Sequence, residues 1–508
     1  MANTNTRTKN AKLNWFSSLG LQIITAISGL ILPRIIIPAF GSNVNGTVAS
    51  ISQFISYMTL LEAGVGSVFR ASLYKPLYNK DYQQVSGIIN AQKSYYRKLG
   101  CVFIAYIVAL CFIYPFIVQS ELDKEYIVIL IVVLSTGTFL EYFVSLPYQS
   151  LIIADQMVRL VNILSSIVIV CNLIMTVILV KIGAGIIVIK ISTAVIAILK
   201  PVTYLVYIKR NYKLDKKAKP DPSALEQRKN GMVHHFSYYI HRNTDILLLS
   251  ILVGTTTVSI YSVYLAIVNG IERLITSISG SLNAGVGNVL TSGDKKAIDR
   301  TVDCFELLQT MITTILFSVT AMMLLPFIRL YTSEMTDANY IQPAFGYILI
   351  AAEGIYCIRC IYSTIIMNGN KFKESQTGAI LESVMNLGLS LLLIIILPTE
   401  SEKLIGIAIG TFAGMTVRLV FEIRYLKSGL IFRPISKALK TIAVCAAASA
   451  ISIISCSLLI DYSCSSVAEW IYKAVFTAAI IAAETVGLCY IMINGTTKDL
   501  FRRLLNRG

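Results

Sequence analysis

Ala63-Gly64-Val65-Gly66, followed by Ser67-Val68-Phe69, returns as Ala284-Gly285-Val286-Gly287, followed by Asn288-Val289-Leu290, 284 − 63 = 221 residues later. A second pair of anchors keeps nearly the same offset. Phe16-Ser17-Ser18 opens one apolar stretch and Phe236-Ser237-Tyr238 opens another, 236 − 16 = 220 residues on. In a chain of 508 residues with 30 Gly, one four-residue match means little. Two matches at nearly one offset, close to half the chain length, point to a duplicated half. Fused parallel repeats in an apolar chain are the architecture of transporters that rock two lobes around a central site.

Composition agrees with that setting. The chain is 55% hydrophobic and only 14% charged, and its apolar runs recur from Leu13 to Asn494. This is the balance of a multi-span membrane protein. Runs of about 20 apolar residues predict fourteen spans: 15–37, 47–71, 99–119, 126–150, 160–180, 184–207, 233–253, 257–285, 305–328, 342–367, 377–397, 404–423, 441–460 and 467–493. Charge tests the map independently, because Lys and Arg accumulate in short cytoplasmic loops. With the N-terminus inside, those segments hold 31 of the 44 Lys and Arg, whereas the opposite loops hold only Lys124, Lys181, Arg329 and Lys403. Both termini are therefore expected in the cytoplasm. The net charge of +16 becomes a topological signal that needs no nucleic acid, with anionic membrane lipids as its counter-charge.

The longest polar interruption, from Lys209 to Gly231, contains Lys216-Lys217-Ala218-Lys219-Pro220-Asp221-Pro222 and reads as a linker. The expected organisation is an N-terminal lobe over 1–208, a linker over 209–231, a C-terminal lobe over 232–426, and an added span pair with a basic tail over 427–508. The expected fold class is thus an all-α integral membrane protein. It has two six-helix lobes related by a pseudo-two-fold axis along the membrane normal, plus two extra C-terminal helices. Tyr74 to Lys98 mixes Val85, Ile88 and Ile89 with Lys93, Arg97 and Lys98, and reads as an amphipathic surface helix or a solvated connector. No predicted loop is long enough for a folded domain, which counts against a lipid-linked glycosyltransferase or polymerase. No P-loop pattern is present either.

Ionisable groups inside the hydrocarbon region cost several kcal/mol and are functional candidates by default. The cations are Arg34, Arg70, Lys190, Lys200, Arg242, Arg273, Arg359, Arg418 and Lys473. The anions are Glu62, Glu141, Asp245, Glu272, Glu353, Glu382, Glu422 and Glu484. Arg34, Arg70, Lys200, Arg418, Glu422 and Lys473 lie near predicted span ends and either snorkel or act within the bundle. Tyr238, Arg242 and Asp245 share a helical face at the start of the seventh span. All three His stand beside them, but His234 and His241 are about 10 Å apart along a helix, so no metal site is expected. Cys357 and Cys360 form a lone CxxC without a second pair. Asn269, Glu272, Arg273, Thr276, Ser279 and Asn283 form a polar stripe on the eighth span. It is read either as a packing face or as a cavity wall, in which Arg273 and Arg242 would bind an anion bidentately.

Leu32-Pro33-Arg34, Phe40-Gly41-Ser42, Leu61-Glu62-Ala63-Gly64-Val65-Gly66 and Tyr74-Lys75-Pro76-Leu77 resemble the N-terminal pattern of polysaccharide flippases. Asn243-Thr244-Asp245-Ile246-Leu247-Leu248-Leu249, Gly254 and Val258-Ser259-Ile260-Tyr261-Ser262 are similar to that family's seventh-span signature. These proteins form a branch of the multidrug/oligosaccharidyl-lipid/polysaccharide exporter superfamily. The resemblance implies a bacterial inner-membrane flippase, without catalytic residues or a cofactor, that moves undecaprenyl-pyrophosphate-linked repeat units by alternating access. It also implies Arg242, Arg273, Arg34, Arg70 and Arg359 as substrate contacts, and Asp245, Glu62 and Glu272 as coupling or gating residues, with H+ or Na+ as the candidate coupling ion. The candidate partners are the lipid-linked oligosaccharide, a polysaccharide polymerase and glycosyltransferases. A cation-coupled multidrug exporter of the same superfamily is the alternative. By the repeat offset Glu62 corresponds to Asn283 and Arg70 to Thr291, so the backbone pattern is duplicated and the charge is not.

Overall fold

Helices account for all the regular structure among the described residues of the computed structural model, which are 4–62, 65–221, 243–292, 294–369, 371–427, 431 and 433–505. In chain order they are α1 (Thr4–Phe40), α2 (Ser42–Ser56), α3 (Thr59–Glu62), α4 (Val65–Asn79), α5 (Tyr82–Ile117), α6 (Lys124–Leu140), a π-helical turn (Glu141–Ser145) and α7 (Leu146–Ala154). Then follow α8 (Val158–Lys181), α9 (Ile186–Ala197), α10 (Leu199–Asn211), α11 (Asn243–Leu252), α12 (Thr255–Ser292) and α13 (Lys295–Tyr331). The last are α14 (Pro343–Asn368), α15 (Phe372–Ile396), α16 (Glu400–Tyr425), α17 (Ile435–Leu459), α18 (Val467–Met492) and α19 (Asn494–Leu505).

Among the described residues, twelve stretches are long and apolar enough to cross a membrane. The other two expected spans differ in kind. The one expected at 233–253 is described only from Asn243, as α11. The one expected to run unbroken over 47–71 is instead divided among α2, α3 and α4, with a turn at Tyr57-Met58; Ala63 and Gly64 lie outside the described residues. Hydropathy cannot register such an interruption, since it scores side chains and not backbone hydrogen bonds. The Tyr74–Lys98 segment is also neither a separate surface helix nor a connector. It is the end of α4, a turn at Lys80 with φ 58°, and the start of α5. Asp81 caps α5 by accepting from the Gln84 amide at 3.0 Å, and Val85, Ile88 and Ile89 are buried there.

Chain contacts group the residues into two compact units, Met1–Ala266 and Ile267–Gly508. In the first, Phe69, Leu73, Val85, Ile89, Leu151 and Tyr204 form one core, and Ile51, Phe54, Phe103, Tyr114 and Leu130 form another, against which Leu247 and Ile251 of α11 pack. The same unit holds the start of α12, because Asn45 donates to Ser259 Oγ at 2.8 Å and the Thr255 amide donates to Gln119 O at 3.0 Å. Gly41 joins α1 to α2 at φ 88°, a left-handed conformation that a side chain would strain. The outward surface of α5 carries Val102, Ile104, Val108, Phe112, Ile113 and Phe116, as a helix with lipid for solvent requires.

The second unit is built on α14, which buries Phe345, Leu349, Ala352, Cys357, Tyr362 and Ile366. On α16 the glycines Gly406, Gly410 and Gly414, spaced by four, let that helix lie directly on α15. A Cβ at Gly410 would stand 2.0 Å from Ser390 Oγ and 2.9 Å from Asn386 O, and one at Gly414 2.9 Å from Glu382 O. This close approach brings the polar groups of α14, α15 and α16 within reach of one another.

Candidate functional site

In the first unit the candidate residues gather around the interrupted span. Glu62 ends α3, and its Oε1 accepts from the buried Tyr96 hydroxyl of α5 at 3.0 Å. Arg70 lies in the second turn of α4, and the bare Cα of Gly66 faces all three groups. A Cβ placed there would meet Arg70 Nη1 at 3.5 Å, Tyr96 Oη at 3.6 Å and Glu62 Oε1 at 3.9 Å. One repeat glycine therefore borders a carboxylate, a phenol and a guanidinium.

The start of α11 is tied to the same span just before its interruption. Gln53 donates to Asn243 Oδ1, and the Tyr57 hydroxyl donates to the Asn243 carbonyl at 3.0 Å. Asp245, 4% exposed, accepts from the Tyr261 hydroxyl of α12 at 2.8 Å. Arg34 is half-buried on α1, one residue after Pro33. Arg242, Tyr238 and the three His lie outside the described residues. Among the described residues no group of three or more His, Cys, Asp or Glu could hold a metal ion.

In the second unit, Glu272 and Arg273 point to different environments, as consecutive helical residues must: Glu272 is buried and Arg273 is exposed. Arg359 lies far from either in surroundings, inside a buried ionic quartet. Arg418 Nη1 donates to Glu382 Oε2 at 2.6 Å, and Arg418 Nε to Glu422 Oε1 at 3.0 Å. Arg359 approaches Glu422 at 3.4 Å and Glu382 at 3.9 Å, and Ser363 donates to Glu422 at 2.9 Å. Two cations and two anions on α14, α15 and α16 therefore neutralise one another, with Arg359, Glu382 and Arg418 roughly 10–15 Å and Glu422 about 5 Å from the helix ends at Asn368, Phe372 and Tyr425. Arg418 and Glu422 do not snorkel, because 10% and 1% of their side chains are exposed. Their spacing of four residues pairs them, and Glu382 secures Arg418 from the neighbouring helix.

A second network flanks the quartet. Arg433 binds Glu306 and Asp303, Tyr362 donates to Glu306 at 2.9 Å, and Lys437 reaches Asp303 at 3.0 Å. Glu306 and Arg433 escaped the sequence reading because the span was begun at 305, which put Glu306 at its edge. The missed signal is Asp294 followed by Lys295-Lys296, an N-cap that starts α13 ten residues earlier; Asp294 accepts from the Lys296 amide at 2.9 Å.

No protein-family model and no curated protein sequence matches this chain. Solved structures do. The lipid II flippase MurJ in an inward closed conformation matches with a TM-score of 0.71 at 15% identity, over 94% of this chain and 98% of that one. An inward-facing multidrug resistance MATE family transporter of the MOP superfamily matches with a TM-score of 0.61 at 14% identity, over 85% and 95%. The eukaryotic MATE transporter AtDTX14 matches at 0.53 and 14% identity, over 86% and 99%. The protein is thus a multi-pass, all-helical chain with the fold of MurJ and MATE transporters of the MOP superfamily.

Proposed function

We propose that this protein is a transporter that flips undecaprenyl-pyrophosphate-linked oligosaccharide across a bacterial inner membrane by alternating access, for O-antigen, capsule or exopolysaccharide synthesis. The supporting observation is the likeness to the lipid II flippase over 94% of the chain. Within that fold the first unit carries a divided span edged by Glu62, Arg70 and Tyr96, and discontinuous helices are where transporters of several folds place binding sites. Arg70, Arg34 and the exposed Arg273 offer cationic contacts to pyrophosphate or an acidic sugar, and Arg242 does so on sequence grounds. Arg359 contributes through its quartet and not as a free cation. Glu62, Asp245 and Glu272 are the candidate carboxylates for coupling to H+ or Na+. Both termini are assigned to the cytoplasm by the distribution of Lys and Arg.

The test is a deletion strain complemented with Arg70→Gln, Arg273→Gln or Arg242→Gln. Unchanged protein levels, lost surface polymer and lipid-linked repeat units accumulating inside support the assignment; wild-type surface polymer in all three defeats it. The MATE likeness supports a second reading, a cation-coupled drug exporter. A deletion strain that becomes drug-sensitive while keeping its surface polymer would select that reading.

A further inference from the structure

After α10 the chain turns back across the first turns of α5, and residues 212–221 are fastened there by a dense set of bonds. Tyr212 donates to Asp155 Oδ2 at 2.5 Å, and the Asp215 amide donates to Ser86 Oγ at 2.9 Å. One side chain, Asn90, lies through Nδ2 within hydrogen-bond distance of three carbonyls of the strap, those of Asp215 at 3.1 Å, Lys216 at 3.4 Å and Ala218 at 2.9 Å, its two N–H groups being shared among them. The Asp221 amide closes the strap on Gly87 O at 3.2 Å. Gly87 permits this approach, since a Cβ there would stand 3.0 Å from Lys219 O. A flexible linker would leave its carbonyls to water. Here they are bound, and the lysines between them, Lys213, Lys216, Lys217 and Lys219, all stand exposed.

The position of the strap identifies its counterpart. It follows α10 directly and crosses the first turns of α5, outside the apolar run expected at 99–119 and on the side of the chain rich in Lys and Arg. Tyr78 and Tyr82, 76% and 38% exposed, stand at the same corner with Lys75 and Lys80, the residue types that settle at headgroup depth. Four exposed lysines on a fixed backbone, beside tyrosines, complement phosphate-bearing headgroups. We propose that residues 212–221 form a prearranged site for anionic phospholipid headgroups. Asn90 sets its shape, and Lys213, Lys216, Lys217 and Lys219 supply its charge. Freezing the strap in advance removes the ordering cost that four mobile lysines would meet on each encounter. The site is independent of what the protein transports.

The experiment uses the full chain in nanodiscs of phosphatidylcholine mixed with phosphatidylglycerol, reading the lipids retained by native mass spectrometry and the selectivity for spin-labelled phosphatidylglycerol. Each lysine near an anionic surface is worth about fivefold. The quadruple variant K213Q/K216Q/K217Q/K219Q is therefore expected to lose phosphatidylglycerol selectivity by about tenfold or more, and the matching quadruple Arg variant to keep it. Asn90→Ala retains every charge and is expected to reduce selectivity while speeding hydrogen exchange over 212–221. Unchanged selectivity in the Gln variant overturns the site, as does an equal loss in the Arg variant. Unchanged selectivity in Asn90→Ala overturns the prearrangement. If the Gln variant keeps its lipid selectivity but loses affinity for soluble polyglutamate, the strap faces an acidic protein and the lipid proposal fails.

Discussion

Removing one charge from the buried quartet should destabilise the protein more than removing two of opposite sign. Glu422 accepts from Arg418 at 3.0 Å, from Arg359 at 3.4 Å and from Ser363 at 2.9 Å, and its side chain is 1% exposed. In Glu422→Gln two guanidinium groups share one carboxylate, Glu382, and a net positive charge remains out of reach of water. Breaking a buried pair in this way costs about 3–5 kcal/mol. Each kcal/mol shifts the midpoint of a unit this size by about 2–4 °C, so thermal unfolding in detergent should fall by roughly 6–20 °C. The double variant Arg418→Gln/Glu422→Gln restores neutrality, with Arg359 still 3.9 Å from Glu382, and should recover at least half of the loss. Fluorescence-detected size exclusion after a temperature series measures both. If the single variant melts with the wild type, or the double melts below the single, the quartet is not the electrostatic unit described.

Gly410→Ala should force α15 and α16 apart, since the new Cβ meets Ser390 Oγ and the fixed Asn386 carbonyl. The cost is about 1–3 kcal/mol, while Gly20→Ala, with nothing within 4 Å, should be silent in the same melting assay. Tyr96→Phe withdraws the hydroxyl that donates to Glu62, a loss of about 1.5–3 kcal/mol that Tyr96→Trp should not repair; equal melting of Phe and wild type would deny the bond a role. On α19, the side-chain bonds from Arg300 at 2.6 and 2.7 Å hold the Asp499 carboxyl below its ordinary range. The unfolded chain therefore binds that proton more readily. The contribution is full above about pH 4 and disappears as pH falls through the lower folded value. Protection from hydrogen exchange across 494–505, relative to the unstructured rate at the same pH, should fall on acidification, and Asp499→Asn should already show the lower protection at neutral pH.

The spanning helices were readable because membrane insertion selects on a summed property, and the apolar runs mark α8, α14, α16 and α18 to within a few residues. Arg418 and Glu422 stand four residues apart, yet their place near the end of an apolar run left snorkelling open, and only the fold shows them paired. What completes their network is Glu382, thirty-six positions away, brought in by a glycine stripe at 406, 410 and 414 that was visible as spacing but has no meaning until its partner helix is known. The same limit governs Arg359: hydropathy marks a cation inside a span, and only the fold tells a ligand contact from a neutralised one. Tyr96 gave no signal, since a tyrosine in an apolar helix looks like packing until a carboxylate is placed against its hydroxyl.

The division of the span between Ser42 and Asn79 also changes how the backbone is held. Around the turn the amides of Tyr57, Met58 and Leu60 reach only three residues back, to Phe54, Ile55 and Tyr57, at 3.1–3.2 Å. Such bonds are poorer in geometry than the i to i−4 ladder on either side. In hydrocarbon no water is at hand to replace a broken one, so helix interiors there resist isotope exchange almost indefinitely. Residues 57–62 should be the exception, an intramembrane stretch whose amides take up deuterium far sooner than those of the flanking helices. Deuterium at these few amides therefore reports opening of the turn itself, separately from the helices on either side.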